Sequence, residues 1–179
     1  MKSGKTRSEK NRRITMTALL CAAALALSFA ESALPSAAFM PPGSKPGLSN
    51  TAVMFSALSL GWAQTFMIVA AKAVFALITR GAAAALMSLC GGVLSALCML
   101  LLFKKAKGVG CIGTGVLSAL CHNAGQLAAA AVLMKSGAVA GYAPVLVLVS
   151  VVTGIVTGSV LKAALPYFSK IIKAKEMEK

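Results

Sequence analysis

The chain has 179 residues, 58% of them hydrophobic and only 12% charged, with a formal net charge of +14. So few charges cannot clothe a soluble domain of this size, and the length accommodates about six spans of roughly 20 residues with no second folded domain. The basic excess lies at both ends and in one short loop, beside apolar runs. That is the pattern of topology determinants against anionic headgroups, not of a nucleic-acid face, for which no aromatic platform exists.

Residues 1–13 (MKSGKTRSEKNRR) form a polar basic arm, and the first apolar segment covers 14–34. A basic start and Ser28-Phe29-Ala30 imitate a secretory signal, but five further apolar segments follow, so this span is expected to be retained. Leu20 before Cys21 also lacks the small residue that lipoprotein processing wants. A Pro/Gly-rich loop from Pro35 to about Lys45 marks irregular backbone. Segments two and three are expected over 47–62 and 63–79, with Gly61-Trp62 as a tight connection. Segments four, five and six cover 82–103, 111–134 and 139–167, and a basic tail fills 168–179.

Charge fixes the count where hydropathy does not. With six spans and a cytoplasmic arm, Lys104, Lys105, Lys107 and the lysines of the tail share the arm's side, leaving only Lys45, Arg80 and Lys135 outside. Five spans would send the lysine loop and tail outward, against the positive-inside bias. Trp62, Tyr142 and Tyr167 fall near span ends, as interfacial aromatics do.

Polar groups inside these spans are the candidates for function, because hydrocarbon supplies no hydrogen-bond partner. Glu31 stands about 26 Å along span one from Ile14, near the outer boundary, on the side of Lys45, Asn50 and Arg80. These groups either converge on an outward-opening cavity or pair as a solvated helix end. Lys72 lies roughly a dozen Å inside span three, where it either snorkels to an interface or points into the bundle toward an anionic group. His122 and Gln126 share a face of span five with Ser118, Gly115 and Gly125, and Asn123 projects about 100° away. They serve either as interhelical hydrogen-bonding glue or as a recognition site near the midplane.

Several chemistries are excluded. All five cysteines (Cys21, Cys90, Cys98, Cys111, Cys121) lie in apolar runs as small packing residues, and a lone His is no metal site. Gly108-Val109-Gly110-Cys111-Ile112-Gly113 has dinucleotide-loop spacing but opens a membrane span and follows no strand. No P-loop is present, and no Ser/His/acid set with plausible geometry. No cofactor is expected.

Small residues recur at helical spacing: Ala22, Ala26 and Ala30 in span one, Ser88, Gly91, Gly92 and Ser95 in span four, Gly154 and Gly158 in span six. Such faces let backbones approach closely, and in span one the stripe can equally dock another membrane protein.

Four runs, Glu31-Ser-Ala-Leu-Pro35, Lys45-Pro-Gly-Leu-Ser-Asn50, Ser88-Leu-Cys-Gly-Gly-Val-Leu-Ser95 and Gly115 through His122-Asn123-Ala-Gly-Gln126, occur in an order that resembles the bacterial Gx transporter family. That family is also labelled heptaprenyl diphosphate synthase component I and is related to the S components of energy-coupling factor transporters. The resemblance covers about residues 14–165. It implies a six-helix S-component-like bundle that takes a vitamin-like or precursor molecule from outside, beneath the loop between spans one and two. A transmembrane coupling protein and paired ATPases would drive transport, docking through Ala22, Ala26 and Ala30. Lys72 stands where the family is expected to carry a basic residue. The enzyme label does not suit the chain alone: prenyl diphosphate synthases hold Mg²⁺ with aspartate-rich motifs, and this sequence has no aspartate.

The expectation is an all-α integral membrane protein of six transmembrane helices, multi-pass in the cell membrane, with both termini cytoplasmic. Its site would combine an outer mouth of Glu31, Lys45, Asn50 and Arg80 with Lys72, His122, Asn123 and Gln126 deeper in. The partners expected are the lipid bilayer, an anionic or phosphate-bearing small molecule and the transport subunits, with no nucleic acid or metal. A non-catalytic partner of isoprenoid or quinone synthesis is the alternative.

Overall fold

In the computed structural model, residues 2–33, 47–105 and 108–177 are described. Among them the chain forms six α-helices and no strand: α1 (Lys2–Ala33), α2 (Asn50–Ser59), α3 (Trp62–Arg80), α4 (Ala82–Lys105), α5 (Cys111–Met134) and α6 (Ala143–Met177). A 3₁₀ turn, Gly137–Tyr142, leads into α6. Five of the helices are long and apolar enough to cross a bilayer. Their outward faces carry large hydrophobic side chains such as Phe29, Ile78, Val132 and Leu148, whereas Thr65, Ser95, Thr114 and Ser150 are fully buried. This inside-out distribution is the one lipid demands, because polar groups find partners only within the bundle.

α2 is shorter than the span expected over 47–62. It has ten residues, about 15 Å of rise, and cannot cross alone. It nevertheless forms an antiparallel hairpin with α3, folded at Gly61. Thr65 Oγ1 donates to Ser56 Oγ at 3.2 Å near the fold, and Lys72 Nζ donates to Asn50 Oδ1 at 2.6 Å further up. Gly61 has φ 97°, a conformation that costs a side-chain-bearing residue roughly 1–2 kcal/mol, so the fold falls where glycine stands. Asn50 thus begins α2 level with Lys72, eight residues below the end of α3. The three preceding positions, Gly47–Ser49, bring the chain down to that depth without helix.

Helix bounds differ from the hydropathy bounds at both ends. α1 extends back through the basic arm to Lys2, and α6 forward to Met177. Lysine and arginine are good helix formers, so nothing local stops either helix where the apolar run does. From α3 onward neighbours pack antiparallel through glycine. A side chain at Gly92 would strike Val69, one at Gly125 the backbone of Cys90 and Gly91, and those at Gly115 and Gly154 the facing backbone of α6 and α5. The apolar core, with Met54, Ile68, Met99 and Leu161 at its centre, lies toward the Gly61 end of the bundle. At the other end a smaller apolar cluster of Met87, Ala129, Ala130 and Val139 lies beside the polar groups.

Candidate functional site

At the end of the bundle where α1 and α3 finish lies a small, partly open cavity of about 20 Å³, lined mostly by polar side chains together with Gly47 and Ala84. From α1 come Ser28 and Glu31, one helical turn apart on its buried face with Leu20 and Ala24. Glu31 is 5% exposed, and its carboxylate accepts two hydrogen bonds from one residue: the Ser49 amide reaches Oε1 at 3.0 Å and the Ser49 hydroxyl reaches Oε2 at 3.2 Å. The non-helical Gly47–Ser49 segment is thereby tied across the mouth. Gly47, at φ 90°, lies against both Asn50 and the imidazole of His122.

α3 contributes two cations on one side. Lys72 is buried and bonded to Asn50, so it points into the bundle and does not snorkel. Arg80, half-buried at the helix end, lies within electrostatic reach of Glu31. α5 supplies the floor: Gln126 Nε2 and His122 Nε2 are 2.7 Å apart, and both side chains line the cavity. Among the described residues Gln126 Oε1 has no hydrogen-bond partner. His122 and Gln126 press on Gly91 of α4, where a methyl group would meet the His122 carbonyl at 2.7 Å and Gln126 Cγ at 3.0 Å. Ser88, one turn earlier on α4, completes the wall.

The structure therefore brings together Glu31, Lys72, Arg80, His122 and Gln126, with Asn50 attached through Lys72. Asn123 stands apart: it turns to α6, donating to Ser150 Oγ at 2.7 Å and Leu146 O at 3.4 Å, and is not among the residues lining the cavity. Lys45 lies outside the described residues. Ser28, Gly47, Ser49 and Ser88 line the cavity without having been singled out as binding residues. Ser49 carried a usable signal, because it sits beside Asn50 at the end of a Pro/Gly loop, where backbone and hydroxyl donors are free to meet a carboxylate. Ala22, Ala26 and Ala30 all lie on the exposed side of α1, opposite the face that carries Glu31.

Two cations against one carboxylate give the cavity a positive balance, and an amide oxygen waits for a donor. The arrangement suits a small molecule carrying an anionic group and a hydrogen-bond donor. Among the described residues no three His, Cys, Asp or Glu side chains gather as a metal site would require. No curated protein and no solved structure gives a significant match. A family model does: it covers residues 20–164, from the first helix to the last, and by that match the chain belongs to the family described as heptaprenyl diphosphate synthase component I.

Proposed function

We propose that this protein is the ligand-binding membrane subunit of a small-molecule transporter in the cell membrane, S-component-like, and takes an anionic or phosphate-bearing precursor from the outer face. The observation that carries this reading is the convergence of charged and amide side chains from α1, α3 and α5, with a non-helical segment, on one small cavity. Interhelical glue needs pairs; five groups around a void are more than packing asks for. The excess of cations sets the ligand's sign. The cavity of about 20 Å³ holds about one water molecule, so a precursor enters only as Gly47–Ser49 lifts from Glu31.

Positive-inside placement of Arg12, Arg13, Lys104 and Lys105 puts the cavity end of the bundle outside and both termini in the cytoplasm. The chain itself is not a catalyst in this reading. Energy comes from a transmembrane coupling protein with paired ATPases, and the exposed Ala22, Ala26 and Ala30 face of α1 is where close helix contact with the coupling protein is available.

Native mass spectrometry of gently purified full-length protein tests this. The expected result is a retained anionic small molecule, lost when His122 and Gln126 are both replaced by Ala in a protein that stays monodisperse. Unchanged retention in that variant, or no adduct in the wild type, overturns the reading. The family's description carries a second one: a non-catalytic membrane partner of heptaprenyl diphosphate synthesis. In that case deletion alters prenyl-product chain length and leaves precursor uptake intact.

A further inference from the structure

A larger space than this cavity lies elsewhere and has no part in this function. Between the first halves of α1 and α3 runs a groove of about 460 Å³, within the range of about 300–1,000 Å³ that small-molecule sites occupy. Small side chains open it: Ala18 and Cys21 on α1 and Ala71 on α3 leave a channel floored by Ile68. Thr17 is the one hydroxyl along its length, and it already donates to the Arg13 carbonyl at 2.7 Å, so the walls behave as hydrocarbon. Polarity returns only at one end, where Lys10 and Arg13, three residues apart on one side of α1, stand with Gln64 from the first turn of α3. The apolar span of α1 begins at Lys10, which puts this end at headgroup depth.

We propose that this groove is a specific site for a membrane phospholipid with an anionic phosphate headgroup, one acyl chain lying along the channel and the phosphate held by Lys10 and Arg13. The occupant follows from access and charge. Ile14 and Met67 at its rim are exposed, at 58% and 62%, so the channel opens sideways to acyl chains rather than to water. Two cations at its only polar end select an anionic head over a zwitterionic one.

The test uses full-length protein in detergent, titrated with phosphatidylglycerol or phosphatidylcholine and read by native mass spectrometry. Wild type is expected to prefer phosphatidylglycerol by about tenfold or more, consistent with the attraction of two basic residues at the headgroup plane. Lys10→Ala with Arg13→Ala removes that preference. Arg7→Ala with Arg12→Ala, which takes the same charge from the same arm but from residues that do not line the groove, keeps it. Equal loss in both double variants would mean diffuse attraction to the arm and would overturn the site, as would equal binding of the two lipids by wild type. Ala71→Phe, which fills the channel, is expected to abolish the retained lipid; retention by a folded variant places the lipid elsewhere and also overturns the proposal. Should Ala71→Phe fail to fold, Ala18→Phe fills the opposite wall and decides in the same way.

Discussion

Glu31 holds two donors of Ser49 in a place closed to water, so its removal leaves both unpaired. Each such group costs about 1–3 kcal/mol, and Glu31→Ala is expected to lower the thermal midpoint in detergent clearly more than Glu31→Gln, which keeps one acceptor oxygen. Lys72→Met should act differently, weakening an anionic ligand about tenfold or more while affecting a neutral analogue little; equal losses for the two would count against a charge-reading role. Glu31, Lys72, His122 and Gln126 were legible in the sequence because hydrocarbon penalises each one in isolation. Serines were not, since a hydroxyl in a helix is routinely satisfied by the carbonyl one turn back, as Ser59 and Ser150 are here. Asn123 shows where periodicity stops. An offset of about 100° from its neighbour says that it faces elsewhere, but not that Ser150 is waiting there.

At the scale of elements, glycine decides how close the helices come. α5 and α6 touch backbone to backbone at Gly115, Gly154 and Gly158, whereas Gly137 has nothing near it. Gly154→Leu is therefore expected to cost about 3 kcal/mol or more and to abolish monodisperse protein on size exclusion, with Gly137→Ala nearly silent. The outer face of α1 predicts the opposite behaviour. Leu at Ala22, Ala26 and Ala30 should leave ligand retention intact while the co-purifying ATPase module is lost; if both survive, the stripe is lipid-facing surface and no more. The break at Gly61 was readable from the glycine, and the helix number from where the basic residues stand rather than from hydropathy. The length of α2 was not, because it depends on Gly47 taking a positive φ and on the tie of Ser49 to Glu31, neither of which hydropathy reports.

For the molecule as a whole, the antiparallel hairpin of α2 and α3 preserves the parity that six passes require, even though α2 covers only part of the bilayer. In a cysteine-free background, single cysteines at Gly108 and Gly137 are expected to be labelled from opposite sides, with Gly108 reached only after permeabilisation. Labelling of both from one side would mean an even number of crossings between them, so that α5 does not pass once through the bilayer, and would overturn the six-pass arrangement.

The shortness of α2 has one more effect. A helix that begins part-way down the bundle sets the positive end of its macrodipole, worth roughly half an elementary charge, beside Asn50 and Lys72. Any negatively charged cargo settling there would feel the peptide backbone itself as a third source of attraction, one that no side-chain substitution removes.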